Sequence, residues 1–263
     1  MIAILKREWK SYFQNNTGWL FIAAVLALYG LYFLAYNLRA GYPYVSYTLS
    51  AISFIMLIAV PILTMRSMAE ERHSRTDQLV LTAPVSLGKM IFGKFLAMVG
   101  VFTVAVAVIA VTPLVLAAFG TVPMGENYVA VLGFWLYGCT CIAVGMLASA
   151  LTESQVIAAV VAFAFLFLGY MMNSITGLIG DHLITKVLGA YDLYTPLQSF
   201  MSGCLDLTGV VYFVSVTALC LFLTCQCVQK RRWSMTTKKL TTGMFSVAMI
   251  VVGFAVAVAV NMV

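Results

Sequence analysis

The residues able to do chemistry are few and concentrated in one stretch. The chain has 263 residues, of which 15 are basic and nine acidic, with two histidines. Its densest polar segment runs from Arg66 to Lys94 and reads RSMAEERHSRTDQLVLTAPVSLGKMIFGK. Within it, Glu70, Glu71 and Arg75 form a Glu-Glu-x-x-x-Arg pattern, with His73 between them. Such a pattern serves intramembrane proteolysis only when histidines on other membrane helices complete the site. The second histidine, His182, stands in a different segment and has no suitable partner, so hydrolysis is not supported. A His-Glu-x-x-His zinc site and a Gly-x-Ser-x-Gly nucleophile elbow are both lacking. Gly88-Lys89 and Gly93-Lys94 are followed by Met90 and Phe95 rather than Ser or Thr, so no phosphate-cradling loop forms. The six cysteines have no metal-ligand spacing and read as small apolar fillers.

The elements that must position this segment follow from composition. Apolar residues make up 63% of the chain, charged residues 9%, and the mean hydropathy is +1.01, well outside the range of soluble domains. Charge-free runs at Ser11 to Leu38, Ala40 to Met65, Phe95 to Gly125, Asn127 to Thr152, Ser154 to Gly180, Leu207 to Gln229 and Leu240 to Val263 predict seven transmembrane helices. Each is long enough, because crossing ~30 Å of hydrocarbon takes about 20 helical residues. Spans are expected at about 17–38, 46–66, 88–119, 127–150, 154–178 and 208–228, with a seventh in 234–263.

Lys and Arg set the orientation. With the amino terminus inside, three juxtamembrane groups hold 13 of the 15 basic residues on the cytoplasmic side, leaving only Arg39 and Lys186 outside. The net charge of +6 is therefore mainly a topology signal, compatible with anionic lipid headgroups, and nucleic acid is not an expected partner. The first thirteen residues, with Ile2, Leu5, Trp9 and Tyr12 or Phe13 opposite Lys6, Arg7 and Lys10, predict a helix lying in the interface. The run after Lys10 is too long for a cleaved signal peptide. A cytoplasmic helix is expected over Ala69 to Leu81, ended by Pro84, and kinks are expected at Pro61 and Pro113. The outer segment from Ile179 to Asp206 is interrupted by Asp181, Lys186, Asp192 and Pro196 and should form short helices that do not cross.

An ion-driven carrier would place ionisable groups at mid-membrane, at about 2.5–3.5 kcal/mol each. None is there. Thr64 and Asn173 are neutral, and Asn173 reads equally as a helix-to-helix hydrogen bond or a substrate contact. A membrane protein with one conspicuous cytoplasmic helix, no gradient relay and no nucleotide site needs an external motor. The segment MAEERHSRTDQLVLTAPVSLGKMIFGKFLA resembles the signature of ABC-2-type permeases, the membrane subunits of ABC exporters. There a Glu-Glu-Arg start leads to Thr-x-x-x-Leu-Leu-Thr-x-Pro-Val-Ser and then Gly-Lys. The matching positions are Glu70, Glu71 and Arg72, then Thr76, Leu79, Leu81, Thr82, Pro84, Val85 and Ser86, then Gly93 and Lys94. The resemblance covers residues 1–233 and lies closest to the gliding-motility-related branch.

The resemblance implies an all-α fold: a six-helix ABC-2-type bundle with an amino-terminal interfacial helix, a cytoplasmic coupling helix and outer re-entrant helices, to which this chain adds a seventh span. It implies a permease that is not itself an enzyme and binds no cofactor, with ATP and Mg held by two copies of a partner ATPase. A second permease copy, identical or related, would complete a dimer in the bacterial cytoplasmic membrane, with the amino terminus inside and the carboxyl terminus outside. Glu70, Glu71, Arg72, Arg75, Thr76, Asp77, Leu79, Leu81 and Pro84 would form the ATPase-coupling segment. Arg75 departs from the glycine that many members carry there. Spans two and five would line the pathway, giving Phe54, Met56, Thr64, Phe165, Phe167, Tyr170 and Asn173 as candidates and a lipophilic or amphipathic substrate as the expectation. Packing within the bundle explains the same aromatic residues equally well. The extra span resembles the membrane anchor of an associated extracytoplasmic subunit. A different class of function is an anchor that couples ATP hydrolysis to an extracytoplasmic machine without passing a substrate.

Overall fold

The structure, a computed structural model, describes residues 2–14, 16–73, 87–179, 189 and 191–232. Among these the regular elements are all helical: α1 (Ile2–Gln14), α2 (Thr17–Phe33), a π-helical turn (Leu34–Arg39), α3 (Ser46–Thr64), α4 (Arg66–His73), α5 (Leu87–Ile109), α6 (Thr112–Ala117), α7 (Met124–Leu151), α8 (Gln155–Ile179), α9 (Tyr194–Met201) and α10 (Leu207–Arg232). Six stretches are long and apolar enough to cross a membrane: Thr17–Arg39, Ser46–Ala69, Leu87–Ala117, Met124–Leu151, Gln155–Gly177 and Leu207–Gln229. They match the first six expected spans. The expected seventh lies outside the described residues.

Apolar surface gains little by leaving lipid for another apolar helix, so the bundle must be held by close packing and by hydrogen bonds between helices. The central helix α7 packs against α3, α5, α8, α9 and α10. Its glycines permit this. A Cβ at Gly138 would lie 2.2 Å from the Phe102 ring, and one at Gly145 would lie 2.3 Å from Thr64 Oγ1. On the next turn of that face, Ser149 is fully buried. Thr140 on α7 pairs with Thr217 on α10 across 3.1 Å.

The amphipathic α1 forms as the sequence predicts. Lys6, Arg7 and Lys10 are exposed, while Ile4, Leu5 and Phe13 pack on the core and Tyr12 is buried. It lies along α5, where Trp9 occupies the space a side chain at Gly100 would need. The reversal into α2 goes through Asn16, whose φ of 57° falls in the left-handed region that asparagine tolerates better than most residues.

The two prolines expected to kink spans are placed differently. Pro61 lies inside α3, whose regular turns stop at Thr64. Pro113 sits in the first turn of α6, after a break at Ala110 and Val111, where its missing N–H costs nothing. The end of the bundle opposite α4 is tied by amides. Asn37 Nδ2 donates to the carbonyls of Tyr42 (2.8 Å) and Tyr44 (3.2 Å), and its Oδ1 accepts from Thr48 (2.8 Å). Asn127 accepts from the Val45 amide and donates to Pro43.

Candidate functional site

Where α3 gives way to α4, residues 65–69 are held from two further helices. An α-helix begins with backbone N–H groups that have no partner of their own, and these need acceptors. Here Ser149 of α7 supplies one: its Oγ accepts from the amides of Met68 (3.2 Å) and Ala69 (3.1 Å). The same hydroxyl donates to the Met65 carbonyl at 3.2 Å. Ser149 thus caps α4 from another helix, as an N-cap side chain does within one. From α5, Lys94 donates through Nζ to the Ser67 carbonyl at 2.8 Å. Lys94 is only 2% exposed, and an ammonium so enclosed needs strong acceptors such as a carbonyl. Thr64 is fully buried beside Gly145, with its hydroxyl bonded back to the Val60 carbonyl at 3.0 Å.

The helix that starts here carries Glu70, Glu71 and Arg72. It begins at Arg66 rather than at the expected Ala69, because Ser149 satisfies the amides of its first turn. Arg75, Thr76, Asp77, Leu79, Leu81 and Pro84 lie outside the described residues. α4 packs against both α7 and α8, whose junction at Glu153 and Ser154 borders an open cavity of about 470 Å³.

The pathway candidates divide. Met56 and Thr64 are fully buried in the bundle. Phe54 of α3 meets Tyr170 of α8 edge to face at 5.7 Å, and Tyr170 in turn lies 4.6 Å from Tyr194 of α9. Asn173 donates to Thr195 Oγ1 at 2.6 Å, a hydrogen bond from α8 to α9. Thr195 is itself anchored by the buried Asp192, whose Oδ1 accepts the amides of Tyr194 and Thr195 and so starts α9. Phe165 is exposed, and Phe167 stacks on Phe163 at 5.7 Å. Among the described residues, two apolar stripes stay uncovered at helical spacing: Phe54, Ile58 and Ile62 on α3, and Val156, Val160, Phe163 and Phe167 on α8. Beside the α3 start and α9 lies a cavity of about 550 Å³ lined by Ser46, Tyr47, Ser50, Thr195, Gln198, Ser199, Met201 and Ser202, none of them charged.

Sequence reasoning passed over Ser149 and gave Lys94 only a place in a motif. A backbone carbonyl or amide as partner leaves no trace in the residue string. A partial signal was present in Gly138, Gly145 and Ser149, small residues seven and four apart on one helix face.

Among the described residues, six long apolar stretches, an amphipathic amino-terminal helix and a polar helix anchored at the basic end define a multi-pass α-helical membrane protein. Residues 38–259 match the family model described as ABC-2 family transporter protein. The chain belongs to that family and is an ABC-2-type permease, the membrane-embedded subunit of an ABC transporter. The matched region contains α4 and both helices that clamp it. Members of this family are typically not catalytic themselves and associate with an ABC ATPase, usually as dimers. No curated protein matches the chain.

Proposed function

We propose that this permease is the dimeric membrane part of a bacterial exporter that moves amphipathic molecules outward through the cytoplasmic membrane. Two copies of a separate ATPase drive it, holding Mg-ATP on the cytoplasmic face where the amino terminus and α4 lie. The observation that carries this reading is α4 itself: a polar helix continuous with a span, clamped by two others, with Glu70, Glu71 and Arg72 on its length. An ATPase that closes on ATP does work on spans only through a lever that cannot slip.

The substrate class rests on a second observation. Apolar stripes on α3 and α8 suit acyl chains or a partner permease, and the uncharged hydroxyl- and amide-lined cavity at the opposite end suits a polar headgroup. An amphipathic molecule needs both surfaces.

The test is reconstitution of the permease with its ATPase in liposomes, using a fluorescent short-chain phosphatidylcholine and an amphipathic cationic dye as probes. ATP-dependent transfer to the outer face supports export. Hydrolysis without transfer of either probe would point to the machine-driving role instead. Glu71→Arg should abolish the permease's stimulation of hydrolysis, and transfer with it, while insertion into the membrane persists. Wild-type stimulation and transfer in that variant would refute the role of α4.

A further inference from the structure

We infer that Lys94 and Ser149 are positioning residues that convert movement of α4 into movement of α5 and α7. This rests on the reading of α4 as the helix an ATPase grips, and deepens it by naming how the force leaves that helix. Three elements converge on residues 65–69. α3 is joined covalently, α7 through the three hydrogen bonds of Ser149, and α5 through the Lys94 ammonium on the Ser67 carbonyl. Without these bonds, a push on α4 would reach α3 through the chain, α7 and α8 only by side-chain packing, and α5 not directly.

The bonds suit transmission for a physical reason. All four engage backbone atoms, so they fix the start of the helix itself rather than the side chains that meet a partner. They are also enclosed: Ser149 is fully buried and Lys94 and Ser67 nearly so, so water is not at hand to replace a broken bond. The joint therefore moves as a unit. The Ser67 hydroxyl lies within it, buried and without a hydrogen-bond partner among the described residues. Gly145 next to Thr64 brings α3 and α7 into contact one turn before Ser149, which stiffens the joint from the side.

The test uses the permease–ATPase complex in nanodiscs, with spin labels at Val108 on α5 and Val160 on α8, both exposed positions. In the wild type, ATP with vanadate should change the distance between the labels. In Ser149→Ala and in Lys94→Met the change should fall by about threefold or more while ATP is still hydrolysed, and Ser149→Thr and Lys94→Arg should restore it. A purely structural role would lower stability without separating hydrolysis from movement.

A second measurement serves where Lys94→Met fails to fold. Hydrogen exchange at the Met68 and Ala69 amides in Ser149→Ala should quicken by about tenfold, because those amides lose their acceptor. Unchanged exchange, or an unchanged nucleotide-driven distance in a folded variant, would overturn the inference. A wild-type complex that shows no nucleotide response, or that never forms with an ATPase, would instead overturn the permease reading.

Discussion

Replacing Gly145 with alanine probes the contact on which the α3–α7 seam depends, and its cost is set by competing terms. The added Cβ would lie 2.3 Å from Thr64 Oγ1 and 3.0 Å from both Thr64 Cβ and Cγ2, whereas ordinary contact begins at 3.4 Å. Thr64 cannot easily yield. It is fully buried and β-branched, with a stiff χ1, and its hydroxyl is already bonded to the Val60 carbonyl. Relief by separating the helices is overpacking, at about 1–3 kcal/mol. Relief by rotating Thr64 forfeits its hydrogen bond, at about 0.6–1.7 kcal/mol in a membrane protein. Against either stands the gain from removing a helical glycine, about 0.5–1 kcal/mol. At mid-range the steric term wins by either route, for a net loss of about 0.5–1.5 kcal/mol.

Gly30 on α2 is an internal control, because a Cβ there meets nothing within 4 Å, so Gly30→Ala should be neutral or stabilising. Unfolding free energy by steric trapping in bicelles would measure both. Thr64→Ala should rescue Gly145→Ala, giving a favourable coupling of about 1 kcal/mol in the double-mutant cycle. If the two substitutions add within about 0.5 kcal/mol, or if Gly145→Ala stabilises as Gly30→Ala does, the seam is not sterically determined and the reasoning fails.

Gly100→Ala places a Cβ 1.9 Å from the Trp9 ring and should push α1 off α5; hydrogen exchange across α1 should rise, and unchanged protection would count against the docking. Asn37→Leu removes three hydrogen bonds at the end of the bundle opposite α4 and should destabilise by about 2 kcal/mol in the same trapping assay. Asp192→Ala strips the cap from α9 and should cost about 0.5–2 kcal/mol, whereas Asp192→Asn, which keeps a side-chain acceptor, should cost clearly less.

What was legible in the sequence was what lipid dictates, and what was hidden was what backbone atoms do for one another. A charge in hydrocarbon is penalised wherever the chain goes, so charge-free runs located the six long apolar stretches without knowledge of neighbours, with the expected bounds within a few residues of theirs. Lys94 shows where that logic stops. Counting charges assigns it to the juxtamembrane basic groups, yet it is enclosed on α5 and bonded to a carbonyl that any residue at position 67 would present. Ser149 is hidden for the same reason, its partners being the backbone of Met65, Met68 and Ala69. Glu70, Glu71 and Arg72 stood out because they are charged, but charge only offers a handle. A handle does work when the helix bearing it is fixed to what must move, and in this chain a serine and an enclosed lysine do the fixing.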